Sequence, residues 1–187
     1  MAKNYWEGKN IRLRALEEND IACLVEQRNA QNHEAYWCYD KIYLPEHENG
    51  MTKIFEEIMA AQKKDDKFYF VIDSLDDDFI GHVYIWHTQS RERMFRYGIM
   101  LHEEHQGKGY AAEALVIVLD YYFNELNYNK CAPTVYNYNK ASQAFHEKLG
   151  FIREGELRNE IYSRGEYHGL VCYGMMKNEF NKRYKHF

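Results

Sequence analysis

The chain is poor in proline, with only Pro45 and Pro133 among its 187 residues, and it has no stretch rich in glycine and serine. It therefore lacks the composition of a linker between two domains. Its length suits one domain with a sizeable core. We accordingly predict a single domain over residues 1–187.

Cysteine is also scarce, and the four cysteines are scattered without a close-spaced pair: Cys23, Cys38, Cys131 and Cys172. This spacing argues against a disulfide framework and against a zinc site, and it is typical of reduced thiols. No apolar run approaches the length of a membrane span, and the N-terminal residues lack the apolar stretch of a secretory signal. We therefore expect a cytoplasmic protein with no membrane partner.

An excess of basic residues is absent too. The 24 lysines and arginines are outnumbered by 29 aspartates and glutamates, which gives a net charge of −5. General nucleic-acid binding needs a basic footprint, so no nucleic-acid partner is expected. The only charge run, residues 76–78, is three aspartates between two strand-like segments and is interpreted as a solvated turn.

Apolar periodicity predicts the order of elements. Alternation and β-branched runs indicate strands over residues 11–16, 68–73, 79–87, 95–101, 131–136, 151–161 and 166–176. Helical spacing indicates helices over residues 20–28, 52–63, 111–126 and 141–149, the first capped by Asn19 or Asp20 and the last ended by Gly150. This order implies a mixed α/β sheet with a strand–helix–strand crossover near residue 107.

The most informative segment is Gln106-Gly107-Lys108-Gly109-Tyr110-Ala111, which stands directly before an apolar helical stripe. Two glycines at a helix start leave backbone N–H groups accessible to an anion, and Lys108 adds positive charge. No serine or threonine follows the lysine, so the segment is not a P-loop, and it lacks the spacing of dinucleotide sites. A tight turn without any ligand is the alternative.

The motifs that accompany this segment make the prediction of its ligand more specific. The pattern Q-x-x-G-x-A is followed by a helix, a strand, Asn139-x-x-Ser142 and the run 147–151, Glu-Lys-Leu-Gly-Phe. This order of motifs resembles the GNAT acetyltransferase superfamily. Residues 8–14 and 154–158 look most like the branch that holds ribosomal-protein N-terminal acetyltransferases. The resemblance spans nearly the whole chain.

The resemblance implies the GNAT fold, a single mixed, largely antiparallel, twisted sheet of about seven strands flanked by about four helices. It also implies acetyl-CoA as cosubstrate. The N–H of Leu101 would bind the thioester carbonyl and oppose charge on its oxygen, and Asn139 would bind the pantetheine arm. The segment cradling the pyrophosphate would comprise Gln106, Gly107, Lys108, Gly109, Tyr110 and Ala111.

In this family an amine attacks the thioester directly, so one group must accept a proton and another must supply one. By resemblance, Ser142 and His146 are candidates for the acid and Glu160 for the base. His146 stands where many relatives carry a tyrosine, and Arg96 stands where many carry a glutamate. Each candidate has a plainer interpretation: a hydroxyl in a first helical turn, a histidine on a helix surface, and an outward residue on a strand.

The predicted function is transfer of an acetyl group to a primary amine. An α-amine with a pKa near ~7.8 is free base in roughly one molecule in seven or eight at pH 7, whereas a lysine-like amine is so in roughly one in a few thousand. This mildly favours a protein N-terminal α-amine over a polyamine or an antibiotic. A non-catalytic acyl-CoA-binding module and a nucleotide-binding protein of another kind are the remaining alternatives, and a homodimer is compatible with the resemblance.

The segment His102-Glu103-Glu104-His105 bears on the question of a metal. Its histidines are three residues apart, whereas the zinc-protease pattern places them four apart on one helix face. We interpret it as a solvated loop before the cofactor segment and predict no metal site.

Overall fold

The computed structural model describes residues 4–29, 49–50, 52–53, 56, 60, 66–76, 78–163 and 165–185. The aromatic segment 36–43 lies outside the described residues. Of the helix predicted over residues 52–63, the described positions Thr52, Lys53, Glu56 and Ala60 are helical.

The elements follow the predicted order. The helices described over their whole length are α1 (Ile21–Asn29), α2 (Tyr110–Asp120), α3 (Lys140–Leu149) and α4 (Lys177–Arg183). The strands are β1 (Ile11–Ala15), β2 (Tyr69–Ser74), β3 (Phe79–Gln89), β4 (Met94–Leu101), β5 (Lys130–Cys131), β6 (Thr134–Tyr136), β7 (Ile152–Ser163) and β8 (Glu166–Met176).

The described strands number eight and not about seven, because the single strand predicted over residues 131–136 is divided into β5 and β6. Pro133 lies in the break, and a proline has no N–H to contribute to a strand ladder. Helix α4 has no counterpart among the predicted elements, since its short polar stretch carries no clear apolar stripe.

One sheet contains all eight strands. Strands β1 to β4 are antiparallel neighbours in chain order, and β4 pairs with β5 in parallel. Strands β5 and β6 follow one another along one edge of β8, and β7 pairs with its other edge. The predicted hairpin turns lie between β2 and β3 and between β7 and β8, where Gly165 has a φ of +85°.

The two faces of the sheet have different cores. Helix α2 is apolar nearly all round and buries Leu115, Val118 and Leu119 against the face that carries Phe95. A fully apolar helix of this kind is typical of a protein interior. On the opposite face, α1 packs Ile21 and Leu24 in a smaller cluster. Among the described residues, no helix has the length and apolar character needed to cross a membrane.

The N-terminal segment is attached to α2 along its length. The carboxylate of Glu113 accepts hydrogen bonds from the backbone N–H of Lys9 and of Asn10, the latter at 2.9 Å, and from Asn10 Nδ2 at 2.8 Å. Tyr5 donates its hydroxyl hydrogen to Asp120 Oδ2 at 2.6 Å. These contacts fix the first turn of α2 relative to the sheet, which matters because the glycine segment leads into that turn.

A buried ion cluster joins β1, β2 and the start of α1. The Arg14 guanidinium donates to both carboxylate oxygens of Asp20 at 2.7 Å, and its Nε donates to Asp73 Oδ2 at 2.5 Å. Asp20 and Asp73 are both buried. The hydrogen bond from Arg14 to Asp20 raises the pKa of the guanidinium. The prediction that Asn19 or Asp20 caps the first helix is wrong, because the helical turns begin after Glu17 and the Asp20 carboxylate accepts hydrogen bonds from Arg14 and from the Glu17 N–H.

Candidate active site

The sheet has an opening beside β4. Strands β4 and β5 pair only at Met94 with Lys130 and at Phe95 with Cys131, and the last contact is from Ala132 N–H to the Phe95 carbonyl at 2.9 Å. Beyond Phe95, no strand in the described part of the chain pairs with this edge of β4. Alternation along a strand places the N–H groups of Ile99 and Leu101 on this edge of β4. A ligand lying in the opening could therefore pair with the strand.

The glycine segment lies where β4 ends and α2 begins. After the short 3₁₀ turn Glu103–His105, Gly107 and Gly109 adopt φ values of +73° and +91°. Only glycine takes this left-handed conformation at little cost. A Cβ at either position would meet no atom within 4 Å, so the space over both glycines is open.

The start of α2 has no side-chain cap. Gly109 is the N-cap residue and has no side chain that could accept from the first N–H groups of the helix. Gln106 instead turns back and donates from Nε2 to the Leu101 carbonyl at 3.2 Å, which ties the loop to the end of β4. Open space, left-handed glycines and uncapped N–H groups together form a cradle that suits an anion.

Asn139 marks the other side of the opening, where β6 leads into α3. Its Oδ1 accepts the Ser142 N–H at 2.9 Å and so caps α3. That bond fixes the plane of the side-chain amide. The amide NH₂ makes no hydrogen bond to the described residues and faces away from the capped helix end. A group bound between β4 and α3 could accept a hydrogen bond from it.

His146 lies inside the protein, between α3 and β4, and is only 4% exposed. The expectation of a helix-surface histidine is therefore wrong. Its Nε2 is 2.7 Å from the Tyr97 hydroxyl and its Nδ1 is 2.7 Å from the Ser142 carbonyl oxygen. Its ring stacks between those of Tyr97 and Tyr173, at centroid distances of 5.8 and 5.4 Å. His146 and Leu149 are the buried residues of α3, and the Phe151 ring packs edge-on against the His146 ring at a centroid distance of 5.3 Å.

The hydrogen bonds of His146 assign its tautomer. A carbonyl oxygen can only accept, so Nδ1 carries the hydrogen and Nε2 accepts from Tyr97. Burial lowers the pKa of His146 to about 4, against a smaller raising effect of the bond to Ser142. The imidazole is therefore neutral at pH 7. The neutral ring cannot deliver a proton as imidazolium. A role for His146 as the acid would have required a pKa near its ordinary value.

The structure brings Ser142 and His146 together and leaves Glu160 apart. Ser142 Oγ is 3.4 Å from His146 Nδ1, on the first turn of α3. Glu160 is exposed on β7, and β8 and β6 lie between β7 and the opening. Two strand spacings amount to roughly 10 Å, so Glu160 does not share a contact with Ser142 or His146.

Sequence reasoning missed the face of β4 that lies opposite Tyr97. There, the Tyr84 ring leans across from β3 and covers Gly98, so that a Cβ on Gly98 would be 2.5 Å from Tyr84 Cζ. The Arg96 guanidinium lies on the same face, with Cζ 5.7 Å from the centroid of the Trp86 ring. Gly98 within an otherwise bulky strand was the one available indication of a close approach.

Two buried histidines predict a pH dependence of stability. Burial lowers the pKa of His82 to about 3 and that of His146 to about 4 from an ordinary value of 6.5. Below pH 6.5 these histidines bind protons in the unfolded chain but stay neutral in the folded protein. The stability that depends on them is therefore fully present above that pH and falls on acidification. From pH 7 to 5 we expect a loss of about 2 kcal/mol for each histidine, measured by urea unfolding.

His82→Phe should remove the part of that stability loss that comes from His82. His87→Phe, on the same strand and half-buried, is the matched control. An equal fall in stability at pH 5 for wild type and His82→Phe would contradict burial as the cause.

The described geometry agrees with comparisons to known proteins. The model of the acetyltransferase (GNAT) domain matches residues 10–152. YokL of Bacillus subtilis, a prophage-derived N-acetyltransferase, is 34% identical over 180 residues, covering 96% of this chain and 97% of that protein. YdaF of Bacillus subtilis, a candidate ribosomal N-acetyltransferase, is 30% identical over 105 residues, covering 56% of this chain and 57% of that protein.

A solved structure extends the likeness to the fold. The crystal structure of spermidine N-acetyltransferase from Vibrio cholerae in complex with CoA and spermine superposes with a TM-score of 0.80 at 26% identity, covering 91% of this chain and 97% of that one. The chain belongs to the GNAT acetyltransferase family. It is an acetyl-CoA-dependent N-acetyltransferase, and the predicted fold, enzyme class and cosubstrate are confirmed.

The described residues fit acetyl-CoA. The uncapped start of α2 and the open space over Gly107 and Gly109 suit a pyrophosphate. The edge of β4 that leads to Leu101 pairs with no strand among the described residues beyond Phe95, and it suits a chain with amide groups. When bound, acetyl-CoA supplies the acetyl group as a thioester.

Proposed function

We propose that this enzyme acetylates the primary amine of a small molecule. The similarity to a spermidine N-acetyltransferase over nearly the full length of both chains supports this acceptor class most directly. The similarity to the candidate ribosomal enzyme covers little more than half of either chain, which is weaker support for a protein N-terminal amine. We therefore favour a small-molecule acceptor, which was the alternative in the sequence analysis, over a protein N-terminal amine.

We propose the following roles for the cosubstrate residues. The backbone of residues 106–111, with the Lys108 side chain, holds the pyrophosphate. The edge of β4 that ends at Leu101 pairs with the pantetheine arm, and an N–H of that edge donates to the thioester carbonyl as charge develops on its oxygen. Asn139 Nδ2 donates to the arm from the opposite side. The open edge, the uncapped helix start and the fixed amide plane support these assignments.

Proton transfer is proposed to depend on the cluster around His146. The neutral imidazole accepts from the Tyr97 hydroxyl and donates to the backbone of Ser142, so it acts as a positioning residue and not as an acid. The hydroxyls of Tyr97 and Ser142 flank it. Tyr97 uses its only hydroxyl hydrogen in the bond to His146, so the Ser142 hydroxyl is the one that can donate to a group in the opening. Glu160 would act only through water, given its distance from this cluster.

The proposal is tested by measuring release of free thiol from acetyl-CoA in the presence of defined amines. One set contains small amines, including spermidine and amines that carry one other functional group. The second set contains short peptides with a free N-terminus and blocked side-chain amines. We expect kcat/KM to be higher for a small amine than for every peptide, with the acetylated product identified by mass.

Activity on peptides alone would replace the small-molecule proposal by the N-terminal one. Thiol release with no amine would contradict both. Normal turnover by Glu160→Gln across pH 6–9 would remove Glu160 from the proton path while leaving the acceptor class intact.

A further inference from the structure

The face of β4 opposite Tyr97 carries Arg96, a cation that has no anionic partner among the described residues. In the described part of the chain, Arg96 takes part in no ion pair and no hydrogen bond, and its Nε is buried without an acceptor. The guanidinium has five N–H donors and always carries its charge. Burying such a donor without an acceptor is costly, so the arrangement favours a partner that arrives with a ligand.

Arg96 lies at the end of the opening beside β4 where the pairing of β4 with β5 stops. It follows Phe95, the last residue of β4 that pairs with β5. Alternation puts its side chain on the opposite face from Tyr97 and on the same face as Gly98. A molecule entering the opening from that face would meet the guanidinium at one end.

Two aromatic side chains complete this surface. Trp86 is the extra residue at the β3 bulge opposite Arg96, is 43% exposed, and has the guanidinium beside its ring at 5.7 Å. Tyr84 covers Gly98, two residue pairs further along the strand, and its hydroxyl reaches over β4. The aromatic ring orients the guanidinium. The stacked Tyr69 and Tyr84 rings, 5.8 Å apart, hold Tyr84 in place.

We infer that the acceptor amine carries an anionic group, a carboxylate or a phosphate, which Arg96 binds beside Trp86. This inference rests on the proposed function, because it specifies the small amine that the enzyme acetylates. Arginine matches both anions with two parallel hydrogen bonds. The same charge repels a polyamine, whose other amines are cations at pH 7. Arg96 is therefore a specificity-determining residue that selects against spermidine.

The test uses matched acceptors of one chain length: aminobutyrate, aminobutanol, diaminobutane, and aminopropylphosphonate as the phosphate analogue. We expect the wild-type kcat/KM for one of the two anionic amines to exceed that for the alcohol and the diamine by about tenfold or more, since a charged hydrogen-bond pair is gained. The two anionic amines distinguish a carboxylate from a phosphate as the preferred group.

Variants at Arg96 assign the preference to this side chain. Arg96→Gln should abolish it, and Arg96→Glu should reverse it in favour of diaminobutane and spermidine. Arg96→Lys keeps the charge and loses the paired donors, so it should retain part of the preference. Arg91→Gln, an exposed arginine in the β3–β4 turn, changes the net charge equally and should leave the preference unchanged. Circular dichroism and thermal melts establish that each variant folds, and Arg96→Lys serves as the test if Arg96→Gln does not.

A wild-type preference for diaminobutane or spermidine, or an anionic preference that Arg96→Gln retains, would overturn the inference while the proposed function stands. Absence of acetylation of every small amine would overturn the proposed function first.

Discussion

Arg14→Met is expected to lower the free energy of unfolding by about 3–5 kcal/mol. The substitution leaves Asp20 and Asp73, which are both buried, without the cation that neutralises them, and an uncompensated buried charge is costly. Methionine fills much of the volume of the arginine stem, so loss of packing contributes little. Urea unfolding followed by circular dichroism at pH 7 measures the difference.

Arg12→Met is the matched control for this prediction. Arg12 lies on the same strand, is more exposed, and approaches Asp73 only to 4.0 Å. Its replacement should cost clearly less than that of Arg14, because Asp73 keeps the Arg14 guanidinium as its hydrogen-bonded cation. Equal losses for the two variants would show that the cluster around Arg14 does not carry the stability assigned to it.

Gly109→Val is expected to weaken CoA binding by about 10- to 100-fold. Valine cannot adopt the φ of +91° without strain, so the backbone N–H groups at the start of α2 would turn away from a bound pyrophosphate. Loss of one hydrogen bond to a charged group corresponds to about 1.5–3 kcal/mol. Isothermal titration calorimetry with CoA measures the change directly and does not require an acceptor.

Gly165→Val provides the control for the glycine loop. Gly165 has a φ of +85° and equally open surroundings, but it lies in the β7–β8 hairpin. Both variants should lose similar stability, and only Gly109→Val should lose CoA affinity. Unchanged CoA affinity in Gly109→Val would mean that the pyrophosphate lies elsewhere.

The fold was predicted well wherever local patterns decide it. Alternation located the strands to within a few residues, and helical spacing with Gly150 located α3, which ends at that glycine with a φ of +98°. The division of residues 131–136 into two strands was missed, because it depends on which neighbouring strands pair with the residues before and after Pro133. Helix α4 was missed because packing of Phe180, and not an apolar stripe, stabilises it.

In the candidate site, the features that the sequence could predict are clearly separate from those that it could not. The glycine segment could be located from sequence, since an anion site at a helix start uses backbone groups that lie next to one another in the chain. The environment of His146 could not, because Tyr97 is 49 residues away and the burial that lowers its pKa comes from other elements. Arg96 was noted only as a departure from relatives, and its position beside Trp86 became visible with the β3 bulge.

The sequence by itself determined the order of the elements and predicted an anion site at residues 106–111, because turns, caps and periodicity are local properties. The acetyltransferase family was indicated by the resemblance of its ordered motifs. Only the tertiary structure decided that His146 is a buried neutral acceptor and that Arg96 lies at the end of the opening where β4 and β5 stop pairing, without a carboxylate among the described residues. Protonation and charge pairing depend on distances between strands and helices far apart in the chain, and no local pattern encodes those distances.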